Sequence, residues 1–145
     1  MNKGVCVKVL AIATVALLVC ASLPTIVLAE PASAKSPLII PIGGTLAPGE
    51  THLWGLGYLL EGSLVTVRLY WSPGSATLEL AMALYYPPYI ILYDQKPVVG
   101  GSIVQSWTVR FSENWYFYIR NKSTTTVTYN GYIQIIYASS VPRGC

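Results

Sequence analysis

Apolar and polar side chains alternate along most of the chain after residue 38. In "SLVTVRLYW" (63–71) every second residue is apolar, which predicts a β-strand with one face toward a core. Its predicted inward residues are Val65, Val67, Leu69 and Trp71. After the turn-like "SPGS", the segment "ATLELAMAL" alternates again, with Leu78, Leu80, Met82 and Leu84 inward. We therefore predict that these two strands form a hairpin.

Further strands are predicted in "YIILY", "SIVQSWTVRF", "NWYFYIRN" and "YIQIIY", and segments rich in Gly, Pro, Asn and Ser separate them. Their predicted inward residues are Trp107, Val109, Phe111, Trp115, Phe117, Ile119, Ile133, Ile135 and Tyr137. No stretch here has the period of a globular helix. Seven or eight short strands predict an all-β fold, an antiparallel β-sandwich or jelly roll over residues 38–138, with a signal helix before it.

The N-terminus has the layout of a secretory signal peptide. A basic start precedes an uncharged apolar stretch, 9–29, which Pro24 interrupts before a small residue at Ala29. We predict a signal peptide over 1–29 and a secreted or cell-surface protein. Two alternatives stay open. About 20 apolar residues can span a bilayer, so the segment could stay as an anchor, the only predicted membrane contact. A pilin-type site at 3–5 would instead leave the apolar helix on the mature protein.

Short polar segments flank the predicted domain. Residues 30–37, "EPASAKSP", have the composition of a linker, and 139–145 form a C-terminal tail. The chain after residue 29 is close to electrically neutral, which gives no reason to expect a nucleic-acid partner. Two of the three cysteines lie in the predicted signal peptide, so no internal disulfide is expected.

Two features predict covalent attachment. "NKS" at 121–123 is an N-glycosylation sequon in a polar turn, which predicts a glycan on Asn121. Cys145, the last residue, is a candidate for an intermolecular disulfide.

The residues that catalysis would need are scarce. His52 is the only histidine and therefore the only candidate base for a serine or cysteine nucleophile, and no G-x-S-x-G motif surrounds any serine. No partners at metal-ligand spacing accompany His52. The six acidic residues are scattered along the sequence. We expect no enzymatic activity, no metal and no cofactor.

The segment "LAPGETHLWGLG" (46–57) reads as a turn followed by a strand, because Pro48 and Gly49 suit the central positions of a β-turn. In the strand, Trp54 shares a face with Leu56 and Tyr58, which places all three in the core.

Tyrosines form the candidate binding surface. Tyr116 and Tyr118 fall on the outward face of their strand beside Arg120, and three more surround the diproline loop of "LYYPPY". These three are Tyr85, Tyr86 and Tyr89. Exposed tyrosines stack on sugar rings or pack against partner proteins, and arginine adds hydrogen bonds. In the alternative interpretation, the tyrosines pair across strands and only cover the sheet.

Several motifs together carry a family resemblance. The matching segments are 44–50 (G-x-L-x-x-G-E), 62–71 (approximately G-x-x-L-x-V-x-L-x-W), 77–82 (in place of D-L-D-L-x-L), and 115–121 and 132–137 for the closing strands. Residues 38–137 thus resemble the bacterial and archaeal pre-peptidase C-terminal (PPC) domain. The resemblance implies a small β-sandwich that accompanies exported enzymes. Some members bind calcium through acidic residues, whereas this chain has Thr77 and Glu79 at the aspartate positions.

Two functional hypotheses follow. In the first, the protein is an exported, non-catalytic accessory module that binds a glycan, an envelope protein or a polymer outside the cell. In the second, it self-associates as the subunit of a surface filament or sheath, donating the strand "SPLIIPI" (36–42) to the next subunit. The first predicts that this strand folds against its own sheet.

Overall fold

Eight β-strands make up residues 35–139, the part of the chain that the computed structural model describes. They are β1 (Leu38–Leu46), β2 (Thr51–Leu59), β3 (Leu64–Ser72), β4 (Leu78–Tyr86), β5 (Tyr89–Val98), β6 (Ser102–Thr108), β7 (Glu113–Asn121) and β8 (Val127–Ile136). Within this range there is no helix of the length and apolarity that a membrane span requires. The predicted signal peptide, most of the linker and Cys145 lie outside the described residues.

The strands form two four-stranded sheets in which all paired neighbours are antiparallel. Sheet A has the order β1-β8-β3-β6, and sheet B has the order β2-β7-β4-β5. Every connection crosses from one sheet to the other except the β4–β5 hairpin. This is the topology of an eight-stranded jelly roll, so the predicted fold class is confirmed.

The predicted hairpin between β3 and β4 is wrong. Strand β3 lies between β8 and β6 in sheet A, whereas β4 lies in sheet B between β7 and β5. Both edges of β3 are therefore already paired, and residues 73–77 form an arch between the layers. A turn between two alternating segments does not distinguish a hairpin from such an arch.

The alternating residues meet in one core between the sheets, as predicted. Trp71, Trp107 and Trp115 are all buried there, and the inward aliphatic residues of β3, β4, β7 and β8 are fully or almost fully buried. Each buried aliphatic side chain contributes about 1.5–3 kcal/mol, so a core of this size needs no disulfide. The prediction that Phe111 lies on the inward face of a strand is wrong. Strand β6 ends at Thr108, and Phe111 packs at the rim of the core, where it is 37% exposed.

Strand β1 belongs to the sheet of its own chain. It pairs with β8 along its whole length, from Leu38 opposite Ile135 to Leu46 opposite Val127. This is the arrangement that the accessory-module hypothesis predicts, because the strand proposed for donation already completes its own sheet.

A β-bulge in β2 changes the direction of one side chain. The register shifts between Gly55 and Gly57, and Gly57 has a φ of 79°, a left-handed conformation that glycine adopts without strain. Leu56 remains buried, but Tyr58, which strict alternation places in the core, is 59% exposed. The core prediction for Tyr58 is therefore wrong.

Candidate binding surface

Two tyrosines from neighbouring strands pack together on the outer face of sheet B. The ring centroids of Tyr85 on β4 and Tyr116 on β7 are 5.9 Å apart at an interplanar angle of 82°, an edge-to-face contact. Small residues, Gly55 on β2 and Ala83 on β4, stand opposite Tyr116 on the two adjacent strands. A Cβ atom at Gly55 would lie only 3.7 Å from the Tyr116 ring. The ring therefore lies across the sheet rather than upright.

The β4–β5 hairpin carries two more tyrosines, which lie at the rim on the other side of sheet B, because they share the parity of buried Leu84. Tyr86 and Tyr89 flank its diproline turn and oppose each other in register, and Tyr89 is 70% exposed. The Tyr86 hydroxyl donates a hydrogen bond to Glu113 Oε2 at 3.2 Å. Partial desolvation and the Glu113 carboxylate raise the pKa of Tyr86, which keeps this hydroxyl protonated.

Tyr58 joins Tyr85 and Tyr116 on the outer side of sheet B, and sequence analysis missed it. It lies on the outer side of β2 opposite Asn114, which makes it a diagonal neighbour of Tyr116 across the strand pair. The signal that could have revealed it is the Gly-Leu-Gly sequence inside a strand, because glycines in a strand interior often mark a bulge. We call Tyr58, Tyr85 and Tyr116 the tyrosine surface; exposed Tyr86 and Tyr89 lie outside it.

Tyr118 and Arg120 do not belong to the exposed part of this surface. Tyr118 points outward as predicted but is only 5% exposed, because it packs in a small outer cluster with Ala81 and Ala83. Its hydroxyl lies 3.5 Å from Glu79 Oε1. Arg120 is half-buried, and its Nε atom is buried without a hydrogen-bond partner in the described part of the chain. Both residues support the sheet beneath the tyrosine surface.

His52 takes part in a structural hydrogen-bond network. Its Nδ1 atom lies 2.7 Å from the Tyr129 hydroxyl, which also accepts a hydrogen bond from Trp54 Nε1 at 3.0 Å. Tyr129 is buried, and this burial raises its pKa. Trp54 is partly buried against the core, so its core prediction is confirmed. The hydroxyl is satisfied by protein groups and has no access to a substrate.

No metal site accompanies this network. Glu50 Oε1 is 3.7 Å from His52 Nε2. However, no group of three or more His, Cys, Asp or Glu side chains within residues 35–139 is arranged to hold a metal ion.

An open cleft of about 540 Å³ lies between β5 and β6, the edge strands of the two sheets. It is lined by Glu61, Gly62, Asp94, Lys96, Ser106, Trp107, Thr108, Val109 and Arg110. Asp94 has a left-handed φ of 52° within a bulge of β5, and its carboxylate forms an ion pair with Arg110 at 2.6 Å. The acidic and basic groups balance, and the lining contains no nucleophile paired with a base.

Asn121 is fully buried, contrary to what its sequon implies. Its Nδ2 atom donates to the carbonyl oxygens of Leu46 at 3.0 Å and Thr125 at 2.7 Å. Its Oδ1 atom accepts hydrogen bonds from the backbone N–H and the hydroxyl of Ser123. A glycan on Nδ2 has no room in this fold, so the glycosylation prediction disagrees with the structure. Asn121 and Ser123 of the sequon instead hold the β7–β8 loop in place through these hydrogen bonds.

Comparison with known proteins finds similar folds but no family to which the chain can be assigned. No family model matches the chain, and no curated protein matches it. Among solved structures, a periplasmic inhibitor of g-type lysozyme from Aeromonas hydrophila (PliG) is similar, with a TM-score of 0.50 and 13% identity over 70% of this chain and 90% of that one. The Yersinia pseudotuberculosis-derived mitogen gives a TM-score of 0.48 and 16% identity over 74% and 92% of the two chains.

A carbohydrate-binding module, CBM36, solved with calcium and xylotriose, gives a TM-score of 0.44 and 12% identity over 70% of this chain and 95% of that one. At such low identities the likeness concerns the fold alone, since one fold carries many unrelated functions. The function has to be argued from the surface of this chain.

Proposed function

We propose that the protein is an exported, non-catalytic β-sandwich module that binds a neutral glycan through the tyrosine surface. The observation that carries the proposal is the convergence of exposed Tyr58 and Tyr85 and half-buried Tyr116, from β2, β4 and β7, on the outer side of sheet B. Export is supported by the predicted signal peptide.

The geometry of the tyrosine surface suits the two kinds of contact that sugars make. Its rings offer apolar faces on which the C–H side of a pyranose can stack, and each ring carries a hydroxyl at its edge. Exposed Asn114 beside Tyr58 offers an amide donor and acceptor for sugar hydroxyls. Tyr85 is held by its contact with Tyr116, so less side-chain freedom is lost on binding.

A non-catalytic role is supported by the way the reactive groups are used. His52 and Tyr129 bond to each other inside the protein, and Asp94 and Arg110 of the β5–β6 cleft form an ion pair. Catalysis of acyl or glycosyl transfer needs a positioned nucleophile, base or acid facing a substrate, and no such arrangement occurs among residues 35–139.

A relationship to the PPC domain remains part of this proposal. The motif positions Gly49 and Gly62 both have left-handed φ angles in turns, which is the role that the resemblance implies for them. This supports a common architecture and leaves the ligand open.

The test compares two tyrosines of similar exposure on opposite sheets, Tyr85 at 42% and Tyr70 at 46%. Binding of the purified protein to neutral polysaccharides such as xylan, β-glucan and mannan is measured by affinity gel electrophoresis and calorimetry. Tyr85→Ala is expected to weaken binding about tenfold, the loss typical of an aromatic anchor. Tyr70→Ala is expected to leave it unchanged.

Three results would contradict the proposal: no neutral glycan binds, Tyr85→Ala has no effect, or a protein from the cell envelope binds where no glycan does. Size-exclusion chromatography is expected to show a monomer, because β1 completes its own sheet. Spontaneous polymerisation would favour the filament hypothesis instead.

A further inference from the structure

Charge is distributed unevenly between the two sheets. None of the residues of β1, β3, β6 and β8 is acidic, and Arg68 in β3 is the only charged residue among them. The acidic residues of the described chain all lie in sheet B or in loops. Sheet A thus presents a single positive charge on a face without internal counter-ions.

Arg68 lies in the middle of that face. Its strand is one of the two inner strands of sheet A, and in register it stands opposite Tyr132 on β8 and Val104 on β6. Its side chain is exposed and forms no ion pair within residues 35–139, whereas Arg110 is bound to Asp94. The guanidinium is therefore available to a ligand.

Two phenol groups flank this guanidinium. Hydrogen bonding with Tyr70, and then the proximity of the Tyr132 hydroxyl, raise the pKa of Arg68 above its ordinary value. Tyr70 is half-exposed on the same outward side of β3. Arg68 thus has one tyrosine opposite it on β8 and another two residues along its own strand, each ending in a hydroxyl.

Uncharged hydrogen-bonding groups lie near Arg68 on this face, together with exposed apolar side chains such as Val104 and Ile39. Thr66 and Ser106 share a hydrogen bond of 2.8 Å between their hydroxyls, and Gln134 stands opposite Thr66 on the other neighbouring strand. Hydroxyl and amide groups of this kind can donate hydrogen bonds to sugar hydroxyls or accept hydrogen bonds from them. We call Thr66, Arg68, Tyr70, Tyr132 and Gln134 the arginine face.

We propose that the arginine face is a second binding site, which holds a uronic-acid residue of an acidic polysaccharide with its carboxylate on Arg68. A planar guanidinium matches a carboxylate with two parallel hydrogen bonds, a geometry that lysine does not offer. The flanking tyrosines pack against the sugar ring, and the hydroxyl and amide groups bond to its hydroxyls. With no acidic side chain in sheet A, nothing within the sheet competes for the cation or repels the ligand.

This site is independent of the tyrosine surface, because the two lie on opposite outer faces of the sandwich. Sheets in such a sandwich are packed about 10 Å apart, so one sugar cannot touch both faces. The inference therefore goes beyond the proposed function, and either site can fail without the other.

The test uses calorimetric titration of the purified protein with polygalacturonate oligosaccharides. Fully methyl-esterified oligosaccharides provide the same sugar without charge, and dextran sulfate provides charge without the carboxylate. We expect binding to the carboxylated form, at least tenfold weaker binding to the methyl ester, and binding that weakens as salt is raised.

The matched variants are Arg68→Gln and Arg110→Gln, which change the net charge equally at different places. Arg68→Gln is expected to weaken polygalacturonate binding at least tenfold, Arg68→Lys to weaken it less, and Arg110→Gln to leave it unchanged. Because Arg68 is exposed and unpaired, thermal unfolding of Arg68→Gln should match that of the unmodified protein.

Several outcomes would overturn the proposal: unchanged binding in Arg68→Gln, equal binding of the methyl ester, tighter Arg68-dependent binding of dextran sulfate, or a loss in Arg110→Gln that places the ligand in the cleft. Tyr85→Ala serves to separate the two sites. It should reduce binding of a neutral glycan without changing that of polygalacturonate.

Discussion

The two outer faces of this jelly roll differ although their inner faces are alike. In both sheets every second residue is apolar and points inward, and these residues pack into one shared core. Outside, sheet A presents hydroxyls, amides and exposed apolar side chains such as Val104 around Arg68. Sheet B presents an apolar cluster, with fully buried Ala81 and Ala83, beside exposed tyrosines. The inner pattern determines the fold, and the outer positions are free to carry different chemistry.

The two outer faces also differ in how firmly their side chains are held in place. On sheet B the tyrosines rest on other side chains, as the Tyr85–Tyr116 contact shows, so the surface is an ordered aromatic platform. On sheet A the long side chain of Arg68 is exposed, with Tyr132 and Val104 opposite it on the two neighbouring strands. We expect sheet B to select ligands by shape and stacking, and sheet A to select them by charge.

Removing an inner side chain would destroy both faces together. Phe117 is fully buried in β7, at the centre of the shared core. Phe117→Ala is expected to lower the free energy of unfolding by about 3–5 kcal/mol, through lost burial and a residual cavity. Denaturant titration measures the change. Both glycan classes should bind more weakly in this variant, whereas a loss at only one face would show that the faces do not depend on the same core.

The next largest effect is expected at Asn121, which ties the two sheets together through Leu46 of β1 and also holds Thr125. Asn121→Ala leaves two carbonyl groups without their donor and should cost about 2–4 kcal/mol. Ser123→Ala also destroys the sequon but removes fewer bonds, so it should cost less. Mass spectrometry of the protein isolated from its source cells should show Asn121 unmodified, and a glycan at this position would contradict the buried geometry.

The buried faces of the strands could be predicted well from the sequence, because apolar residues at every second position directly indicate which side of a strand is buried. This pattern predicted the buried faces of β3, β4 and β7 residue by residue. It did not predict which strands pair, since "SPGS" is compatible with a hairpin or an arch. That choice depends on long-range pairing of β3 with β8 and β6.

The candidate surface was predicted in part, for reasons that can be stated. Tyr85 and Tyr116 were placed on the outer side because outward parity is visible in sequence. Tyr86 and Tyr89 are exposed, as their loop position predicts, but lie on the core side of the sheet at its rim. Tyr118 was placed outward, but its burial depends on neighbours from adjacent strands. Tyr58 was missed because one inserted residue at the β2 bulge reverses parity. Burial of Asn121 depends on Leu46, which is far away in the chain.

A smaller effect is expected at Tyr129, a second tie between the sheets, through His52 and Trp54 of β2. Tyr129→Phe should cost about 1 kcal/mol at neutral pH, because the hydroxyl is lost. Burial raises the pKa of Tyr129 above the ordinary value of 10.0, so the folded state holds its proton more firmly than the unfolded state. The stability from this shift is present below pH 10 and is lost as pH rises through the folded pKa.

The pH dependence can be read from thermal unfolding between pH 7 and pH 11. The unmodified protein should lose stability above pH 10, and Tyr129→Phe should lose less over the same range. An identical alkaline loss in both proteins would contradict the assignment of this effect to Tyr129.

The most direct test of the central claim is NMR mapping of a bound neutral glycan on the isotopically labelled protein. Backbone amide signals of Tyr58, Tyr85 and Tyr116 are expected to shift on titration, while those of Thr66, Arg68 and Gln134 on the opposite sheet stay in place. Shifts confined to Lys96 and Arg110 in the β5–β6 cleft, or to the arginine face, would contradict the assignment of neutral-glycan binding to the tyrosine surface.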